Sequence, residues 1–352
     1  MTHDSPLQHA VQVLARGESL SAEASAAAFA VLMRGEGTPV QTAALLMGLR
    51  TKGETADELA GAALALRRAM LRVEVDGAER LVDTCGTGGG RVGTLNLSTA
   101  AAFVVAGAGV PVAKHGNRSF TSRSGSADVL ESLGVRIELT AEAAAAVLRA
   151  AGLVFLFAPT FHPAMRHVGP VRRELGVPTI MNLLGPLVNP AGVTRQVIGV
   201  ADRSRGPLVA AALAQLGAAH ALVLHAAVGM DEVSPSGRTL VWEVRDGEVA
   251  EWEIEPEHYG LACDALDGLA GGEPAENAAR IERLLGGGNG MPAVRCAVLL
   301  NAAAGLYVSG GGWTFDEAVE RASASLESGA AADALERLRG KSAAAIVPLL
   351  SP

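Results

Sequence analysis

The sequence predicts an α/β protein: a small all-helical N-terminal domain, then a large domain whose mostly parallel central sheet is flanked by helices. Three observations carry that prediction. Residues 7–70 hold only helix signals. From residue 81 onward, short apolar or β-branched runs alternate with helix patterns, as in a parallel sheet covered on both faces. A glycine-rich turn joins the first strand of that alternation to its first helix, where such sheets hold ligands.

The elements follow in order. Thr38-Pro39-Val40-Gln41 and Thr55-Ala56-Asp57-Glu58 are capping boxes, the first with proline at the opening helical position. After Thr55, residues Leu59, Ala62, Ala63, Leu66 and Met70 form one apolar stripe, so this helix packs against a neighbour. Residues 72–81 turn to β-branched and charged alternation, a hinge that sets the division at 1–72 and 73–352. Strands are expected at 81–84, 110–113, 153–157, 196–200 and 221–225, with helices at 126–133, 141–151 and 206–216. Residues 239–245 and 248–254 flank Asp246-Gly247, a favoured hairpin dipeptide, and their Trp242 and Trp252 read as packing residues. Residues 162–175 have a helix pattern and 181–192 are rich in Gly and Pro; pattern alone places both with the sheet. The tail is helical again over 292–308 and after Thr314-Phe315-Asp316-Glu317, a third capping box.

Composition narrows the function. The 352 residues suffice for two domains, and a formal net charge of −8 argues against nucleic acid or an anionic membrane as the main partner. Cys85, Cys263 and Cys296 lack metal-ligand spacing and read as free thiols of a reducing compartment. The N-terminus has no signal-peptide pattern, and no apolar run approaches the ~20 residues of a membrane span. A soluble, cytoplasmic protein is expected.

Chemistry concentrates in residues 81–125. Gly86-Thr87-Gly88-Gly89-Gly90 follows the first strand, and Thr94-Leu95-Asn96-Leu97-Ser98-Thr99 opens the apolar helix pattern. The second strand ends in Lys114-His115-Gly116-Asn117-Arg118-Ser119, which a parallel sheet brings to the same edge. Glycines let backbone N–H groups approach an anion, and a helix N-terminus adds partial positive charge. The spacing matches neither the dinucleotide fingerprint nor the P-loop. Lysine stands only at 52, 114 and 341 among 29 basic residues, so a lysine kept in this turn points to phosphate. Ser98, Thr99 and Ser124 could equally serve as helix caps.

These motifs resemble anthranilate phosphoribosyltransferases. The resemblance continues through Phe161 to Gly192 (FHPAMRHVGPVRRELGVPTIMNLLGPLVNPAG), Gly229-Met230-Asp231-Glu232 and Val298-Leu299-Leu300-Asn301-Ala302-Ala303-Ala304, colinear from about residue 10 to near the C-terminus. It implies the nucleoside phosphorylase-like phosphoribosyltransferase fold, with 162–190 packed on the N-terminal helices, and a homodimer formed through the helical domain. The implied reaction displaces pyrophosphate from phosphoribosyl pyrophosphate by the amine of anthranilate, a step of tryptophan synthesis. No acid or base is demanded, because the aromatic amine already carries a free lone pair; positioning and electrostatics supply the catalysis.

By resemblance, Gly86, Gly89 and Gly90 offer backbone contacts to phosphoribosyl pyrophosphate, and Thr94, Asn96, Ser98 and Thr99 hold its phosphates and ribose. Lys114, His115, Gly116, Asn117, Arg118, Ser119, Thr121, Ser122 and Ser126 form the second wall. Ser98, Asp231 and Glu232 would bind Mg²⁺, although an acidic dipeptide taken alone is ordinarily a solvated turn. Gly86, Asn117, Arg172, His115 and His162 would contact anthranilate, with Arg172 as the fork for its carboxylate. The family commonly has Asp where this chain has Gly90 and Phe where it has Leu95, so one metal or ribose contact is missing from the expected set.

Two alternatives stay open at this point. A pyrimidine nucleoside phosphorylase shares the architecture and would cleave thymidine or uridine with phosphate. A non-catalytic nucleic-acid-binding relative would shift single-stranded DNA in a salt-dependent way.

Overall fold

The computed structural model describes residues 5–90, 92–119, 123–264, 266–288 and 290–345. Four helices come first: α1 (Pro6–Ala15), α2 (Ala22–Met33), α3 (Pro39–Lys52) and α4 (Ala56–Ala69). Both anticipated capping boxes form, Thr38 with Gln41 and Thr55 with Glu58. The Glu58 carboxylate does more than cap. It also accepts from the Leu20 N–H at 2.9 Å and from Lys52 Nζ at 3.0 Å, and so ties three helix ends together at a fully buried side chain.

The sheet has seven strands: β1 (Val82–Asp83), β2 (Val112–Gly116), β3 (Leu153–Phe157), β4 (Arg195–Gly199), β5 (His220–Ala226), β6 (Thr239–Arg245) and β7 (Glu248–Ile254). Their order is β3-β2-β1-β4-β5-β6-β7, with β1 to β5 parallel and the last two antiparallel. The hairpin turns at Asp246 (φ 52°) and Gly247 (φ 85°), the two positive φ values that its favoured turn needs. The remaining helices are α5 (Leu97–Gly107), α6 (Ser126–Ser132), α7 (Ala141–Ala151), α8 (Ala158–Phe161), α9 (Gly169–Leu175), α10 (Met181–Leu184), α11 (Gly206–Gln215), α12 (Pro274–Leu285), α13 (Pro292–Val308), α14 (Phe315–Glu327) and α15 (Ala330–Ala344).

Period-two alternation divides the strands between two cores. Val197, Leu222, Leu224 and Val241 face one side, where α5, α13 and α15 pack. Ile198, Val200, Ala221, Val223 and Trp242 face the other, in one core with α1 to α4 and α11. Val168, Ile180, Met181, Leu184, Leu187 and Val188 belong to that second core. These side chains share one core with residues of α1, α2, α3 and α4. The connecting chain is stitched at both crossings, by Leu71 N–H to the Phe161 carbonyl and Val73 N–H to the Pro190 carbonyl.

Three expectations need correcting. The second strand starts and ends later than 110–113, so Lys114 and His115 are strand residues and the turn begins after Gly116. The helix pattern of 162–175 is a 3-10 turn (Pro163–His167) followed by α9, because Pro163 and Gly169-Pro170 interrupt the backbone ladder. Only Val82 and Asp83 of 81–84 pair as strand. No helix among the described residues is long and apolar enough to cross a membrane.

Candidate active site

The strand order reverses between β1 and β4, and in open α/β sheets the crevice beyond such a reversal is where ligands bind. The glycine turn after β1 lies there. Gly88 (φ 69°) and Gly89 (φ 86°) take left-handed conformations that other residues resist. Thr87 N–H donates to the Gly199 carbonyl at the end of β4, at 2.9 Å. A Cβ on Gly199 would lie 1.5 Å from the Asp231 carbonyl oxygen, and one on Gly90 would lie 2.4 Å from Asp231 Oδ1. The end of β4 thus stacks directly on the Asp231 backbone, and the Asp231 carboxylate fills the space beside Gly90.

The head of α5 is capped from a distance. Glu232 accepts from Thr94 Oγ1 at 2.9 Å and from the Ser98 N–H at 3.0 Å, a carboxyl group at a helix N-terminus. Neither Ser98 nor Thr99 caps α5, whose N-cap is Asn96. Ser98 Oγ instead accepts from Lys114 Nζ at 3.2 Å, and Thr99 Oγ1 is buried without a partner. Lys114 is 3% exposed and also donates to the Thr84 carbonyl (2.9 Å) and Thr84 Oγ1 (3.3 Å). Its three N–H groups are therefore satisfied by protein, and its charge acts from beneath the glycine turn. Burial, then repulsion from Asp231, raises the Glu232 carboxyl; burial also raises Asp231.

The second turn is braced differently. Asn117 Oδ1 accepts from the Arg118 N–H (2.7 Å), and the Asn117 carbonyl accepts from Ser126 Oγ (3.3 Å). Arg118 is drawn outward to Asp128 and Glu131, half exposed, with its guanidinium 5.4 Å from the centre of the Phe157 ring. Ser119 and Gly125 N–H both reach Asp128 Oδ2. A Cβ on Gly116 would meet Ser126 Oγ at 2.4 Å. Thr121 and Ser122 lie outside the described residues.

His115 and His162 are brought together, ring centres 5.1 Å apart. His115 Nδ1 lies 3.0 Å from the Gly185 carbonyl, which can only accept, so Nδ1 carries the proton and Nε2 a bare lone pair. The Nε2 atoms of His115 and His162 are buried without partners among the described residues. Burial holds His115 down to about 3 and His162 to about 4, so both are neutral near pH 7. Arg172, in the last turn of α9, is half-buried and its guanidinium makes no ion pair or hydrogen bond among the described residues, whereas Arg173 is exposed. Burial pushes the Cys85 thiol up to about 12, so it is no nucleophile.

A cavity of about 450 Å³ opens at the opposite edge of the sheet, lined by Arg195, His220, Arg245, Tyr307 and Trp313 among others. It holds none of the expected residues, and its nearby carboxylate Glu243 is taken up by His220, Tyr307 and Trp252. Glycine turn, cation and carboxylates converge instead at the β1/β4 reversal.

Residues 8–70 match the glycosyl transferase family helical bundle domain, and residues 78–332 the glycosyl transferase family a/b domain. An anthranilate phosphoribosyltransferase of Rubrobacter xylanophilus is 51% identical over 331 residues, 94% of this chain and 96% of the relative. The chain belongs to the anthranilate phosphoribosyltransferase family. The anthranilate phosphoribosyltransferase of Thermus thermophilus superposes with a TM-score of 0.90 at 44% identity, covering 95% of this chain and 99% of that one. The Saccharomyces cerevisiae anthranilate phosphoribosyltransferase, solved in complex with PRPP and Mg, gives 0.87 at 29% identity over 97% and 99% of the two chains.

In this anthranilate phosphoribosyltransferase framework, several residues escaped the sequence reading. Asp83 is fully buried and accepts from the His115 N–H (3.2 Å) and Asn189 Nδ2 (2.8 Å), and Asn189 also reaches the Ala113 carbonyl. Burial raises Asp83 to about 6. An acid inside an apolar strand was the available signal. Asn277 and Gly199 carried no local signal at all.

Proposed function

We propose that the chain transfers the phosphoribosyl group of 5-phosphoribosyl 1-pyrophosphate to the amine of anthranilate, giving N-(5-phosphoribosyl)anthranilate and pyrophosphate. The observation that carries this reading is the stacking of the glycine turn on Asp231 beside the Glu232-capped α5. Exposed turn N–H groups and a helix N-terminus are suited to phosphate, and the carboxylates to a cation bound with it.

The donor set suits Mg²⁺. Asp231 and Glu232 are hard oxygen ligands, both raised by burial and Glu232 further by Asp231, which a cation relieves. Among the described residues no cluster of three or more His, Cys, Asp or Glu is present, so substrate phosphate oxygens would complete the coordination. Ser98, Asp231 and Glu232 would hold the ion. Bound there, Mg²⁺ neutralises charge on the departing pyrophosphate.

The chain's own groups do the rest by position. Gly86, Gly89, Gly90, Thr94, Asn96 and Thr99 line one side of the sugar phosphate. Lys114, His115, Gly116, Asn117, Arg118, Ser119 and Ser126 line the other, with Lys114 acting electrostatically from below. The bare His115 Nε2 suits the N–H group of an aromatic amine with His162 beside it, and Arg172 suits its carboxylate. As the C1–O bond breaks, charge develops in a site whose dipoles are already oriented. Residues 1–72 with 162–190 act as one domain and 73–352 as the other; the protein is a cytoplasmic homodimer joined through its helical domain.

The test mixes the protein with anthranilate, phosphoribosyl pyrophosphate and Mg²⁺ and follows anthranilate fluorescence. Steady loss of signal that requires all three supports the reading. A protein that leaves anthranilate untouched but cleaves thymidine or uridine with phosphate refutes it.

A further inference from the structure

Asn277 sits on α12, distant in sequence from both substrate turns, and is 1% exposed. Its neighbours fix its amide orientation. The Gly272 N–H can only donate, so Asn277 Oδ1 faces it at 2.8 Å, leaving Nδ2 to donate to Asn96 Oδ1 at 3.0 Å. Asn96 carries the connection onward: its Oδ1 also accepts from Ser124 Oγ at 3.2 Å, and its Nδ2 donates to the Ser124 carbonyl at 3.1 Å. Both lone pairs of Asn96 Oδ1 are then in use. Asn96 is the N-cap of α5 and ends the first turn, while Ser124 closes the second. The chain leading into α12 is zipped to the first turn as well, through Leu95 N–H to the Leu269 carbonyl (2.8 Å) and Gly271 N–H to the Gly93 carbonyl (3.0 Å).

We propose that Asn277 is a positioning residue for phosphoribosyl pyrophosphate, fixing through Asn96 the separation of the two turns that hold the substrate. The inference rests on the function proposed above. Only an amide serves at this position. A carboxylate could still accept from Gly272 but would face Asn96 Oδ1 with no proton to offer. Asn96 could not escape by turning its own amide over, because its oxygen would then meet the Ser124 carbonyl. The relay is directional.

The experiment compares wild-type protein with Asn277→Asp and Asn277→Ala. Steady-state kinetics and calorimetric binding of phosphoribosyl pyrophosphate with Mg²⁺ are the readouts, with thermal unfolding alongside. Asn277→Asp keeps the Gly272 bond, so α12 should hold and the protein should fold. For the loss of one buried hydrogen bond we expect KM and Kd for phosphoribosyl pyrophosphate to rise about tenfold, with KM for anthranilate changing less than about twofold. Adding Ser124→Ala to Asn277→Ala should cost less than the two separate losses together, because they break one relay. Equal rises for both substrates, or a lower melting temperature with unchanged KM values, overturn the proposal. Wild-type protein that binds no phosphoribosyl pyrophosphate overturns the function and the relay with it. Normal wild-type binding with unaltered variants overturns the relay alone.

Discussion

Gly90 and Asp231 share one space: a Cβ at position 90 would come within 2.4 Å of Asp231 Oδ1 and 3.3 Å of its backbone nitrogen. The missing side chain lets a carboxylate settle on the phosphate turn. Gly90→Ala should displace Asp231 while leaving the fold intact. The Mg²⁺ concentration for half-maximal rate should rise several-fold with the melting temperature unchanged. An unchanged Mg²⁺ requirement would show that Asp231 does not serve the metal from this position.

Arg172 and Arg173 are neighbours in very different surroundings, one half-buried with no acidic partner among the described residues, the other exposed. Charge-assisted hydrogen bonds contribute about 1.5–3 kcal/mol, so Arg172→Ala should raise KM for anthranilate about 10- to 100-fold. KM for phosphoribosyl pyrophosphate should move little, and Arg173→Ala should leave both near wild type. Parallel kinetics with each substrate varied in turn decide between specific and general loss.

The buried histidines make stability fall with acidification. Their folded pKa values, about 3 and 4, lie below the unfolded value near 6.5. Below pH 6.5 the unfolded chain takes up protons that the folded chain refuses, so stability is lost from there down toward pH 4. Each ring should cost about 1 kcal/mol per pH unit in that window. Asp83, raised to about 6, opposes this by binding its proton in the folded state first. The raised Asp231 and Glu232 carboxyls oppose it as well, so the readout is the difference between proteins: in urea unfolding at pH 7.0 and 5.5, His162→Gln should lose less stability, or gain more, on acidification than wild type. A pH dependence untouched by that substitution would contradict the assignment.

Glu58 should be among the costliest residues to truncate in the helical part. Its carboxylate serves Lys52 and the Leu20 and Thr55 N–H groups. Glu58→Ala leaves a cation and two backbone donors unpaired, and should lower unfolding free energy by about 3–5 kcal/mol. Glu58→Gln, retaining one acceptor oxygen, should lose less. Equilibrium urea unfolding of both variants checks the order.

Local grammar in the chain was enough to determine the helical start, the strand–helix alternation, the capping boxes at Thr38 and Thr55 and the Asp246-Gly247 hairpin. Each depends on a propensity or a hydrogen bond within four residues. The glycine turn was legible for the same reason, since Gly88 and Gly89 need conformations that few other residues adopt. Tertiary structure alone decided what long-range pairing controls. It put Lys114 in the strand with its donors spent, made Glu232 the cap of α5 across 134 positions, and joined Asn277 to Asn96 across 181. It also gathered Val168, Ile180 and Leu184 into one core with side chains of the N-terminal helices. No local signal records such partners, because a buried polar group is satisfied by whatever the fold brings near it, however distant along the chain.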